Sequence, residues 1–416
     1  MKAQPKNILR SDLNFMRLAI GLARRSSGQT SPNPMVGAVL VKGGKIIARG
    51  WHRGTGFPHA EIEALRNAQK RGNNPKGATL YVTLEPCCTH GRTPPCTDAI
   101  IAAGIERVVV GATDPNPRHS GKGFRILKRA GIEVIHGIRA GECSNLNEAF
   151  NHWIVQRTPF VTVKAAMTLD GKIATASGES KWITGEKARV EGMNLRRGVD
   201  AILVGINTIL ADNPELTARA KTADGTPIIR ERGWKVVKPI RRIILDSMAR
   251  TPLAAKVVSD KHAALTMIVV GEHAPKNRVA ALARRVKVIV APIRKVGRSV
   301  LCPPRRARSD ASHPQIDVRW LLRGLGSENV TSLLVEGGGE VNASFLLGGL
   351  AQRVAFFYAP KILGGRDSRK AVAGEGVKNL AKVIQLCDVE WQQLGPDLLL
   401  TARVVASPGL PAKHGQ

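Results

Sequence analysis

His59-Ala60-Glu61, Pro86-Cys87 and Pro95-Cys96 bring one imidazole, one carboxylate and two thiols into a single stretch of the chain. One His and two Cys can hold a zinc ion and leave its fourth position to a water. Zinc lowers the pKa of such a water from roughly 15.7 to about 7, giving hydroxide at neutral pH. Glu61, two residues past the His, is placed to take that water's proton and deliver it to a ring nitrogen and to departing ammonia. These groups together suit hydrolytic deamination of an amino-substituted heterocycle. Cys88 adjoins Cys87, and composition alone does not choose between them. Asn33, held in Pro32-Asn33-Pro34, offers a fixed amide to the edge of such a ring. His52, His119, His136 and His152 lie outside the pattern and read as structural side chains.

The elements around these groups follow from periodicity. Phe57-Pro58 before His59, and Leu84-Glu85-Pro86 before Cys87, read as loop or strand feeding a helix N-terminus, where side chains and backbone N–H groups converge. Leu13 to Arg25 has Phe15, Leu18, Ala19 and Leu22 at helical spacing. Val36–Val41 and Lys45–Ala48 flank Gly43-Gly44, a hairpin signal. Helices are expected over Ala60–Lys70, from Pro95, and over Ser144–Gln156, and strands at Thr79–Leu84, Arg107–Gly111 and Glu133–His136. This is an α/β sandwich ending near Arg157-Thr158-Pro159. A second α/β pattern follows, with strands near Phe160–Ala166, Ala201–Val204, Arg242–Leu245, Met267–Val270, Val286–Val290, Ser332–Val335, Val354–Tyr358 and Asp397–Val405. Arg294–Pro314, with five Arg and three Pro, reads as a solvated surface excursion.

Composition bounds the function. A chain of 416 residues is too long for one ordinary core. A hydrophobic fraction of 43% supplies globular cores, and no apolar run is long enough to span a membrane or act as a secretory h-region. Three of the six cysteines crowd into one motif and the other three are scattered. That is not a disulfide framework, and it implies a reducing, cytoplasmic setting. The formal charge of +31 admits nucleic-acid binding. The excess is spread over both halves, however, so nucleic acid is not the expected partner.

His59-Ala60-Glu61 with Pro86-Cys87-Cys88-Thr89-His90-Gly91-Arg92-Thr93-Pro94-Pro95-Cys96 resembles the cytidine-deaminase superfamily. The usual spacing there is Pro-Cys-x-x-Cys. The longer gap here, with Val82–Cys87 and Asp114-Pro115-Asn116-Pro117, is similar to the pyrimidine deaminases of riboflavin biosynthesis. That match implies Cys87 as the ligand. Met167–Lys172, Ser177–Thr184, Leu210–Thr217 and Val335-Glu336-Gly337-Gly338-Gly339 resemble the reductase of the same pathway.

The resemblance therefore implies a bifunctional deaminase/reductase. A cytidine-deaminase-like three-layer domain would span residues 1–157, a dihydrofolate-reductase-like domain residues 158–407, and a disordered tail residues 408–416. It implies Zn2+ and NADPH as cofactors, a pyrimidine ribose phosphate as substrate, and a homo-oligomer. Carried over residue by residue, the cofactor contacts fall on Ala166, Trp182, Thr208, Asp212 and Ser247, and on Gly338, Gly339, Glu340, Val341, Asn342, Ala343 and Ser344. The substrate contacts fall on Ser180, Arg196, Leu216, Arg219 and Glu336. Arg196 and Arg219 suit a ribose phosphate through bidentate hydrogen bonds. The alternative is a nucleic-acid deaminase of the tRNA type with an accessory basic domain.

Overall fold

The computed structural model describes residues 9–90, 94–218, 239–292 and 316–405. Arg219, Cys302, the Arg294–Pro314 excursion and the 408–416 tail lie outside them. Packing divides the chain into two units, Met1–Thr158 and Pro159–Gln416.

The first unit runs α1 (Arg10–Arg24), β1 (Gly37–Lys42), β2 (Lys45–Trp51), α2 (Ala60–Lys70), β3 (Thr79–Leu84), α3 (Cys96–Ala102), β4 (Arg107–Ala112), α4 (Lys122–Arg129), β5 (Glu133–His136), α5 (Ala140–Leu146) and α6 (Glu148–Gln156). Its sheet has the order β2-β1-β3-β4-β5. The first three strands are antiparallel, and β3, β4 and β5 are parallel. Side chains of both alternations are buried in β3 and β4, as in strands covered on both faces. The β1–β2 turn uses Gly43 and Gly44, both at positive φ, as a two-residue hairpin requires.

The helices are seated by specific contacts. Asp12, wholly buried in α1, accepts from both Arg107 terminal nitrogens at 3.0 Å and from the Tyr81 hydroxyl at 2.7 Å. One carboxylate thus ties α1 to β3 and β4, and removing either charge would strand the other at a cost of about 3–5 kcal/mol. Of the residues expected on the apolar face of α1, Ala19 and Leu22 are buried and Phe15 packs against the core, while Leu18 is 44% exposed. Asp12, Met16, Ile20 and Ala23 complete the buried face. At Gly50 a Cβ would stand 2.3 Å from the Ala60 carbonyl oxygen and 2.4 Å from the Ala64 nitrogen. Its absence lets β2 touch the start of α2.

The single helix expected over Ser144–Gln156 is two, broken at Asn147. The Asn147 side chain accepts from Met35 N–H at 2.7 Å and donates to Met35 C=O at 2.9 Å. This reciprocal pair with a distant peptide competes with helix continuation.

The second unit runs β6 (Phe160–Thr168), β7 (Lys172–Ala174), α7 (Glu186–Arg197), β8 (Ala201–Gly205), α8 (Ile206–Asp212), β9 (Arg241–Leu245), α9 (Lys256–Ser259), β10 (Thr266–Gly271), α10 (Lys276–Ala283), β11 (Lys287–Ala291), α11 (Val318–Ser327), β12 (Ser332–Val335), α12 (Gly339–Leu346), β13 (Arg353–Ala359), β14 (Arg369–Lys370), β15 (Leu386–Leu394) and β16 (Asp397–Val404). Among the described residues the large sheet has the order β11-β10-β9-β8-β12-β6-β13-β16-β15. Strands β11 to β13 are mutually parallel; β16 and β15 are antiparallel. The short β7 and β14 and the edge strand β15 were not expected from the sequence. β15 buries only Leu394, so it lacks the apolar face that marks a strand.

Candidate active sites

His59 immediately precedes α2 in extended conformation, and Glu61 lies in the first turn, 3% exposed. Cys96 opens α3. Cys87 does not open a helix, contrary to expectation; it stands in irregular chain after β3. There the Cys96 backbone N–H donates to its sulfur at 3.3 Å. His59 Nδ1 lies 3.2 Å from Cys96 Sγ and 3.5 Å from Cys87 Sγ. All three atoms are within 4.8 Å of one another. Tetrahedral zinc with bonds of roughly 2.0–2.3 Å sets its ligand atoms about 3.3–3.8 Å apart, so the cluster has the size and donor set for that ion. Cys88 points elsewhere, its sulfur 3.8 Å from His119 Nδ1.

The electrostatics suit a cation. Hydrogen bonds from Cys96 and His59 pull the Cys87 thiol down to about 4, against its burial. Cys96 moves the other way, because it holds the proton shared with Cys87 and is buried. The His59 imidazole is raised by Cys87 and by the charge of Glu61. Burial pushes Glu61 up to about 7, with the Cys87 charge adding to it. Donors this crowded with negative charge are those a divalent metal stabilises.

A cavity of about 300 Å³ opens on this cluster. Asn33 lines it with its amide nitrogen 3.2 Å from His52 Nε2, and His52 Nδ1 is 3.0 Å from the Pro58 carbonyl. That carbonyl can only accept, so Nδ1 donates and Nε2 accepts from Asn33. The Asn33 oxygen is left as the acceptor for a ligand. Asp114, Asn116 and His119 form another polar side. Their turn is held by the buried Glu85, which accepts from the N–H groups of Asp114 (3.2 Å), Gly121 (3.0 Å) and Gly123 (3.0 Å). Phe150, Trp153 and Ile154 of α6 supply an apolar side.

In the second unit a cavity of about 500 Å³ lies at the carboxyl ends of β6, β8 and β12. Ligands of open parallel sheets bind at such ends. Ala166, Trp182, Thr208, Asp212 and Gly338 line it, as do Ser180, Arg196, Leu216 and Glu336. Ser247 and Gly339–Ser344 do not line it. Within α12, Asn342 is buried and donates to the Ala371 carbonyl at 2.8 Å, and Ser344 donates to the Glu340 carbonyl. The fork of Arg196, expected to grip a phosphate, is instead engaged by Glu336 at 2.8 and 2.7 Å. A third nitrogen of Arg196 donates to the Thr217 carbonyl. Burial opposes ionisation of Glu336, yet Arg196 and Lys164 hold its carboxyl down at about 2.

The glycine run divides by role. A Cβ on Gly337 would meet Val341 at 2.6 Å, and one on Gly339 would meet the Lys370 carbonyl at 2.2 Å. Gly338 has an ordinary backbone (φ −65, ψ 173) and nothing within 4 Å of a Cβ position. The fold does not require glycine there; the room lies at the cavity edge, where a cofactor could approach the backbone.

Comparison with known proteins completes the picture. Residues 9–112 match the cytidine and deoxycytidylate deaminase zinc-binding region, and residues 159–400 match the RibD C-terminal domain. The riboflavin biosynthesis protein RibD of Actinobacillus pleuropneumoniae is 41% identical over 96% of this chain and 96% of its own length. The Escherichia coli protein of that name is 38% identical over 94% and 98%. The chain belongs to the RibD family. Solved RibD structures agree: that from Acinetobacter baumannii superimposes with a TM-score of 0.76 at 33% identity, covering 96% of this chain and 100% of its own. A Thermotoga maritima deaminase/reductase gives 0.73 at 36% identity, covering 95% and 99%. Like other RibD proteins, the chain joins a deaminase to a reductase of riboflavin biosynthesis, and the tRNA-deaminase alternative is not favoured.

Within the RibD frame, sequence reading passed over several cavity residues. His52 and His119 read as structural but border the cavity. Asp114 and Asn116 belonged to a recognised motif without an assigned role. The three α6 side chains gave no signal, since aromatic and aliphatic residues at helical spacing usually mean core. No described helix is long and apolar enough to cross a membrane.

Proposed function

We propose that the first unit deaminates 2,5-diamino-6-ribosylamino-4(3H)-pyrimidinone 5′-phosphate. The second unit then reduces the ribosyl side chain with NADPH, giving 5-amino-6-ribitylamino-uracil 5′-phosphate. The observation that carries this reading is the His59–Cys87–Cys96 cluster with a buried Glu61 beside it, in a chain that also carries the reductase half. His59, Cys87 and Cys96 would hold zinc. A zinc ion there supplies positive charge that brings an attacking water's pKa from roughly 15.7 to about 7 and draws Glu61 toward its ionised form.

Glu61 takes the water's proton and passes it to the ring nitrogen and then to the departing ammonia, and its place in the first turn of α2 beside the cluster puts the carboxyl where both transfers occur. The Asn33 oxygen accepts from the heterocycle edge. In the second unit NADPH supplies the hydride, and Ala166, Trp182, Thr208, Asp212 and Gly338 are the cavity residues placed to hold it. Ser180, Leu216 and Glu336 face the same space for the sugar phosphate. With its fork on Glu336, Arg196 orients that carboxylate.

A coupled assay tests the reading: the diaminopyrimidine phosphate should release ammonia, and NADPH oxidation should follow only then. Ammonia release without NADPH oxidation would remove the second step.

A further inference from the structure

We propose that α6 is the specificity wall of the deaminase cavity: Phe150 and Trp153 cover the face of the pyrimidine ring, and Asn147 locks the helix to the Asn33 turn. The inference rests on the deaminase reading above and names what selects its substrate. The region shared with cytidine and deoxycytidylate deaminases ends at residue 112. It contributes His59, Glu61, Cys87 and Cys96, the groups for chemistry common to deaminases of different substrates. Beyond it, the cavity is lined by the Asp114 turn and α6, which lie outside the shared region and are therefore free to differ with the substrate.

A flat heterocycle has polar edges and apolar faces. The Asp114 turn and Asn33 offer polar partners to the edges, and α6 offers aromatic surface to a face. Trp153 is 8% exposed and is backed by the Arg157 guanidinium, 5.3 Å from its ring centre. Phe150, partly exposed on the cavity, sits 6.5 Å from it. Asn147 is 4% exposed and exchanges two hydrogen bonds with the Met35 peptide, two residues beyond Asn33. The break between α5 and α6 thus falls where the chain grips the turn that presents the ring-edge amide. Edge and face contacts belong to one braced wall.

The test uses the full-length, zinc-loaded protein and the diaminopyrimidine phosphate. Phe150→Ala should raise the deamination KM about tenfold, leave kcat within about twofold, and leave zinc content and reduction of the deaminated intermediate unchanged. Phe150→Tyr should restore KM, and Asn147→Ala should raise it without altering zinc content. Equilibrium binding to Glu61→Gln protein, with and without Phe150→Ala, reads the wall independently of turnover. Weakening of about tenfold supports it, and equal binding overturns it. Loss of zinc in Phe150→Ala would also overturn it, by making Phe150 a prop for the metal cluster. If wild-type protein binds the compound but releases no ammonia, the deaminase reading fails, and the binding comparison still decides the wall.

Discussion

Glu61 stands beside the metal cluster without belonging to it, and a single substitution separates proton transfer from metal binding. Its carboxylate moves protons, but the ligand set proposed for the metal does not include it. Glu61→Gln should therefore keep zinc, measured by metal analysis, while ammonia release falls by at least about 10²-fold. Gly338 offers a second residue-scale contrast. Gly338→Ala should raise the KM for NADPH with little change in melting temperature, because the new methyl meets only cavity space. Gly337→Ala and Gly339→Ala should lower the melting temperature, since Val341 and the Lys370 carbonyl occupy the positions their methyls need. At this scale the sequence was most legible where chemistry demands rare combinations, as in His59-x-Glu61 with two Pro-Cys pairs. It was least legible where ordinary residues do the work. Nothing in the types of Phe150 or Trp153 distinguishes a cavity wall from a core, and nothing in Arg196 says that its fork is taken by Glu336.

At the scale of elements, segments with a clear local pattern could be read closely: Ala60–Lys70, Thr79–Leu84, Glu133–His136 and Ser332–Val335 fold with the bounds expected. Reading failed where a distant partner overrides local pattern: the Met35 peptide breaks the helix at Asn147. Helix α6 also holds a titratable group. Burial pulls His152 down to about 4. The unfolded chain takes up that proton near 6.5, whereas the folded unit resists it until about 4. The stabilisation is thus complete above 6.5 and is lost as pH falls from 6.5 to 4. The loss is on the order of 3 kcal/mol. Denaturant unfolding of the first unit at pH 7 and pH 4.5 should show a clear drop, and His152→Gln should flatten that part of the profile.

On the scale of the whole molecule, each unit has its own core and its own cavity. Cys87→Ala should lower zinc content and abolish deamination, yet NADPH oxidation with the deaminated intermediate should continue at close to the wild-type rate. A parallel collapse of both activities would show that the halves do not fold independently. The large sheet of the second unit ends at β15, a strand exposed along nearly all its length. No described strand pairs with its outer side. Such a margin invites intermolecular strand addition and fibrous aggregation. β15 carries a register break between Cys387 and Glu390, together with Asp388 at positive φ and the charge of Glu390. An incoming flat strand would have to follow that kink and lodge its own side chains against two carboxylates. The kink and charge along β15 thus work against further growth of so long a sheet.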